Sequence, residues 1–83
     1  MENRIAAISV MVEDPSSVEA LNSLLHSYAP DILGRMGIPY REKRLNILCL
    51  AIDAPLDVIN TLTGKLGRLS GVSAKAVYSR STN

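Results

Sequence analysis

Phenylalanine and tryptophan are absent from these 83 residues, and three tyrosines, one histidine and one cysteine make up all the aromatic, imidazole and thiol chemistry. Each shortage removes a class of function. Without an aromatic platform, unpaired bases have little to stack on, so direct RNA binding is not expected. A single thiol, Cys49, can build neither a disulfide framework nor a zinc knuckle, which fits a reducing compartment. One imidazole and one thiol do not supply a nucleophile, a base and an orienting group together. Asp14, Asp31, Asp53 and Asp57 stand near expected element ends, where capping and solvation account for them, so no enzyme is expected. Neither a phosphate loop nor a dinucleotide fingerprint occurs, and no cofactor is expected. The longest uninterrupted apolar run, Ile47–Ile52, falls far short of the roughly 20 residues that span a bilayer. The opening MENRIAAISVMV sets Glu2 beside Arg4 and has no cleavage-site pattern, so a cytoplasmic protein with no membrane partner is expected.

The charge balance of +1 is uneven along the chain. Residues 1–34 carry Arg4 against Glu2, Glu13, Asp14, Glu19 and Asp31, a sum of −4; residues 35–83 carry eight basic side chains against Glu42, Asp53 and Asp57, a sum of +5. That density is too low for a domain that grips nucleic acid alone, and no helix-turn-helix or basic arm precedes Ile5, so direct DNA binding is not expected either.

Hydrophobic spacing sets the fold. Arg4 to Glu13 alternates as a strand, with Ile8, Val10 and Val12 on one face and Ala7, Ser9 and Met11 on the other. Asp14-Pro15-Ser16-Ser17 stops it and opens a helix: Asp14 caps free amides, and Pro15 suits a first turn. Val18, Leu21, Leu24, Leu25 and Tyr28 form the helical stripe, ended by Pro30. Asp31 to Tyr40, broken by Gly34, Gly37 and Pro39, predicts an irregular edge strand with a bulge. A charged turn, Arg41 to Arg44, leads to a strand over Leu45–Asp53. Ala54-Pro55 is the expected start of a second helix with the stripe Val58, Ile59, Leu62, Leu66 and Leu69. Ser70-Gly71 closes it, Val72 to Ser79 is the last strand, and Ser79 to Asn83 is a tail expected to fray.

The order βαββαβ predicts an α+β, ferredoxin-like sandwich: a four-stranded antiparallel sheet with two helices on one face, as one domain over 1–83 with an ordered core of about 4–79. The central strand then poses a problem. A half-wet strand alternates, yet Ile47–Ile52 has no polar break, so both faces need cover. With Leu48, Leu50 and Ile52 toward the helices, the bare face carries Ile47, Cys49 and Ala51 beside Ala7, Ser9, Met11 and Val77. The economical cover is a second copy, so a homodimer or homotetramer is expected.

The segments SYAPDILGRMGIPYRE (Ser27–Glu42), LNILCLAIDAP (Leu45–Pro55) and TGKLGRLSGVSAKAVYS (Thr63–Ser79) resemble a family of small bacterial iron-only hydrogenase system regulators, over nearly the whole chain except its termini. The resemblance implies an ACT-like fold, related to the C-terminal sensing domain of the nickel-responsive repressor, and a regulatory role in a hydrogenase system. The Asp14–Ser17 turn departs from amino-acid-binding ACT domains, which usually carry a glycine there. Nickel-sensing relatives place imidazoles on a strand that corresponds here to Gly37, Ile38, Pro39 and Tyr40, so no metal site is expected.

Several smaller features complete the expectations. His26, beside the stripe near the end of its helix, where a cation is favourable, reads as structural and not as a metal ligand, and Cys49 as a buried small hydrophobe. Gly64 and Gly67 each cost a helix about 1 kcal/mol relative to alanine, which points to close approach by a neighbouring element or subunit. Neither GxxG tetrad, Gly34–Gly37 or Gly64–Gly67, sits in the interhelical loop that clamps nucleic acid. Arg35, Arg41, Lys43 and Arg44 with Tyr40 read as the rim of a subunit interface in preference to an effector site. Arg35, Met36, Gly37, Tyr40, Arg41, Gly64 and Gly67 are thus the effector or interface candidates, and Ala7, Ser9, Met11, Ile47, Cys49 and Ala51 the oligomer face. Two functions remain open: an oligomeric module that senses a small ligand and acts on transcription or maturation of a hydrogenase system, or a non-sensing adaptor that binds a maturation protein.

Overall fold

The computed structural model describes residues 2–80. Strand β1 (Asn3–Val12) leads through a 3-10 turn into helix α1 (Val18–Ser27), then strand β2 (Ile32–Tyr40), strand β3 (Leu45–Pro55), helix α2 (Leu56–Gly67) and strand β4 (Val72–Tyr78). The four strands form one antiparallel sheet in the order β2-β3-β1-β4. This is the expected α+β, ferredoxin-like βαββαβ arrangement, in which the two central strands are the most apolar in alternation.

One face of the sheet carries both helices. Ile8 and Val10 of β1 and Leu50 and Ile52 of β3 are wholly buried against Ile59, Leu62 and Leu66 of α2, with Leu21 and Leu25 of α1 completing the cluster. Burial of each such side chain contributes roughly 1.5–3 kcal/mol, so this one layer is the main source of stability in a small chain. Polar ties fasten the helices over it: the Tyr78 hydroxyl donates to Asn60 Oδ1 at 2.6 Å, and the Lys65 ammonium lies 5.9 Å from the centre of the Tyr28 ring.

The junction of β1 with α1 follows from a short polar run. Asp14 accepts from the Ser16 backbone N–H (3.0 Å), the Ser16 hydroxyl (2.7 Å) and the Ser70 hydroxyl (2.8 Å), so the turn into α1 is tied to the turn out of α2. Ser17 donates to the Ser70 carbonyl at 2.6 Å, and Glu13 N–H to the Gly71 carbonyl at 2.7 Å. Gly71 has φ +67°, a conformation that glycine adopts without steric cost.

Several boundaries differ from the sequence expectation. The first strand spans Asn3–Val12 in place of Arg4–Glu13, because Glu13 turns its amide to Gly71. Ala54 and Pro55 do not begin the second helix: pairing of Asn3 with Pro55 and Arg4 with Ala54 carries β3 on, and α2 starts at Leu56. That helix ends at Gly67, before Ser70-Gly71. The last strand stops at Tyr78. The expected bulge lies between Ile32 and Gly34. Of the tail expected to fray, the part beyond Arg80 lies outside the described residues.

Candidate interaction face and cleft

The face without helices is assembled row by row from the strand register. Gly34, Ala51, Ala7 and Val77 lie side by side across the sheet; Met36, Cys49, Ser9 and Lys75 form the next row, and Ile38, Ile47, Met11 and Ser73 the third. Successive strand residues alternate between faces, so one face collects these rows while the other collects Leu50, Ile8 and their neighbours. Val77, Met36 and Ile38 expose 68%, 61% and 51% of their surface, whereas Ile8 and Leu50 expose none. Large apolar side chains left to water on one contiguous face distinguish a patch from scattered exposure. All six residues expected on this face are there, and Val77 with them.

Cys49 is a correction. It is half-buried, not buried, because its face carries no helix. His26 is exposed on α1, on the opposite side of the sheet, so these two potential ligands stand apart. Among the described residues no three His, Cys, Asp or Glu side chains gather where they could hold a metal ion.

The effector candidates do not share one site. Met36 and Tyr40 fall on the open-face rows, and Arg35 and Gly37 on the helix-facing rows of the same edge strand, opposite Leu50 and Leu48. Arg41 and Arg44 border a shallow hollow with Tyr40 and Pro15 at the far end of β2. Arg35 opposes Leu50 and Tyr40 opposes Leu45, a separation of roughly 17 Å along a strand, so the basic residues expected to cluster are divided. Gly64 and Gly67 lie on the exposed side of α2, and a Cβ at either would meet nothing within 4 Å. The close approach expected at these glycines is therefore not made by any described part of the chain.

The feature that sequence reasoning missed is a cleft of about 240 Å3 between α1 and the β2 side of the sheet. Its apolar walls include Val12, Leu21, Leu48 and Pro39, and its polar groups are Asn22, Asn46 and Arg35. It exists because the helix-facing positions of β2 hold Arg35, Gly37 and Pro39, none of which fills the space that α1 leaves. Arg35 Nη2 donates to Asn22 Oδ1 at 3.2 Å, a strut from strand to helix. A second hollow of about 390 Å3, lined by Leu25, His26, Ala29 and Ile32, lies across that strut. The signal available in the sequence was Gly37 and Pro39, one small and one inflexible residue at positions where an edge strand would bury bulk.

Electrostatically, the clearest shift is outside the cleft. The carboxyl of Asp14 is held below the ordinary carboxylate value, first by the Ser16 hydroxyl and then by the Ser70 hydroxyl and the Ser16 amide. It is a capping group whose partners lie in its own turn and in the turn after α2.

Residues 4–76 match the model of the TM1266-like family, described as "Iron-only hydrogenase system regulator, putative". Among solved structures, that of uncharacterized protein TM1266 from Thermotoga maritima is 36% identical, covers 95% of this chain and 100% of its own, and superposes with a TM-score of 0.91. None of the curated proteins matches the chain.

Proposed function

This chain belongs to the TM1266-like family, and from that premise we propose that it is a non-catalytic regulatory module that works as a homo-oligomer, its open sheet faces packed together. The target is the transcription or maturation of an iron-only hydrogenase system, and the input is a small effector. The supporting observation is the open face: Met36, Ile38, Met11 and Val77 stand exposed beside the small side chains of Ala7, Ser9, Cys49 and Ala51. Apolar surface costs roughly 25 cal/mol per Å2 left in water, and a two-fold copy removes it from both partners at once.

Self-association also supplies the physical requirement of a switch. A ligand shifts an equilibrium only by its differential affinity for two states, and two relative placements of identical sheets provide such states. No nucleotide, metal or redox chemistry is needed for that output. The sensing step separates this reading from a passive adaptor.

Sedimentation equilibrium tests it. The wild-type protein is expected to run at a multiple of 9.0 kDa, and Cys49→Asp at the single-chain mass with unchanged circular dichroism. A wild-type protein that stays a single chain at tens of micromolar overturns the oligomeric reading. A thermal-shift screen of amino acids, nucleotides, S-adenosylmethionine and divalent metals tests sensing: a specific stabiliser supports it, and none, together with specific binding of a maturation protein, moves the conclusion to the adaptor.

A further inference from the structure

The cleft between α1 and β2 has a composition that fits one kind of small molecule. We propose that it binds a short-chain monocarboxylate, with the carboxylate on the guanidinium of Arg35 and the apolar chain against Val12, Leu21 and Leu48. This names the effector class of the regulatory reading and rests on that reading for its purpose, but the cleft is complete within one chain, so binding and self-association can be measured separately.

Three observations select the ligand. Charge comes first. Among the described residues the Arg35 guanidinium makes a single hydrogen bond, to the neutral amide of Asn22, and no acidic side chain stands within ion-pairing distance of it. No aspartate or glutamate lines the cleft or the hollow across the strut, whereas His26, Asn22 and Asn46 do. A guanidinium carries five N–H donors in a planar fork, so most of its capacity is directed outward and matches a carboxylate through two parallel bonds. An ammonium ligand would meet only repulsion here, and a neutral one would leave the fork unused.

Apolar lining is the second. Val12, Leu21 and Leu48 belong to the core and form the apolar floor of the cleft, whose rim is the exposed Asn22, Arg35, Gly37, Ile38 and Pro39. An aliphatic chain placed there displaces water from apolar surface. Size is the third. A cavity of about 240 Å3 lies below the roughly 300–1,000 Å3 typical of sites for drug-sized ligands, which suits a chain of a few carbons. The strut from Arg35 to Asn22 spans the gap between strand and helix and leaves the guanidinium on the exposed side of the cleft.

Gly37 makes the inference testable without damage to the fold. A Cβ at this position would lie 3.6 Å from Leu48 Cδ1, an ordinary contact. A β-branched side chain there suits a strand and extends into the cleft. The Gly37→Val variant is thus expected to fold at least as well as wild type and to occupy the ligand's place.

The experiment is an amide NMR titration of the full chain with hexanoate, acetate and 1-hexanol at fixed pH and ionic strength. Hexanoate is expected to give saturable shifts centred on Leu21, Asn22, Arg35 and Leu48, with acetate binding at least about tenfold more weakly for want of the chain's apolar contact. Arg35→Gln is expected to weaken hexanoate about tenfold, the loss of one charge-assisted pair, and to leave hexanol unchanged. Gly37→Val is expected to abolish both. Shifts that never saturate, shifts confined to the open face around Met36 and Cys49, or full affinity in Arg35→Gln would each overturn the assignment. The same samples, sedimented, keep the two readings apart: a single-chain species that still binds hexanoate removes only the oligomer, and an oligomer that ignores hexanoate removes only this site.

Discussion

Gly71 lies so close to Asp14 that a Cβ on it would stand 2.5 Å from the Asp14 Cβ and 2.9 Å from the Asp14 nitrogen. The two turns that flank the helices meet at this contact, one leaving β1 and the other entering β4. Gly71→Ala therefore has to move backbone, in addition to holding φ near +67° with a side chain. The expected loss is about 2 kcal/mol or more, read as a fall of roughly 10 °C in Tm for a chain of this length. Urea unfolding of the variant beside wild type checks it; a loss below about 0.5 kcal/mol, the scale of an ordinary surface substitution, would show that the turns re-form apart.

The same junction makes stability depend on acid. Folding lowers the Asp14 pKa through its bonds to Ser16 and Ser70, so its stabilising contribution is fully present above the unfolded carboxylate value. That contribution is lost as pH falls through the lowered folded value. Asp14→Asn is expected to remove this dependence. Denaturation midpoints from neutral pH down to pH ~2.5 should show wild type and variant converging in acid; a constant gap would mean that Asp14 acts through shape alone.

Cys49 and Leu50 are chain neighbours on opposite faces of β3, and the same substitution separates their roles. Leu50→Asp places a carboxylate in the sealed layer and is expected to prevent folding, since an unpaired buried charge costs several kcal/mol. Cys49→Asp is expected to leave the thermal transition of the single chain cooperative while lowering the sedimenting mass. Equal behaviour of the two variants in circular dichroism would contradict the assignment of faces.

For Gly64 the described residues give no reason to prefer glycine, because none of them lies within 4 Å of the position a Cβ would take. Gly64→Ala is expected to stabilise an isolated chain by about 1 kcal/mol through helix propensity. Measured by urea unfolding at high dilution and again at high concentration, the gain should persist at both if α2 is bare. A gain that reverses at high concentration would place a partner against this turn of the helix.

Much of this architecture could be read from residue order. The alternation of Ile8, Val10 and Val12 fixed which side of β1 is buried, the stripe of Ile59, Leu62 and Leu66 fixed the inner side of α2, and Gly34 marked the bulge. Strand ends were harder, since Pro55 looks like a helix start locally but is held in β3 by pairing with Asn3, a residue far away in sequence. The cleft escaped notice for a related reason: Arg35 and Gly37 stand out in the sequence as effector or interface candidates, but only the packing of α1 over the sheet brings them together with Pro39 and Asn22 around one volume. Asn22 carries no motif at all; its part is set by the distance to Arg35.

The strand order also bears on how the molecule is made. β1 lies between β3 and β4, with Ala6 paired to Tyr78 and Val12 to Val72. The earliest strand to leave the ribosome must wait for the latest before both its edges are satisfied. Nascent chains halted ahead of β4 are left with a raw margin along β1, a template on which neighbouring copies can anneal until β4 arrives.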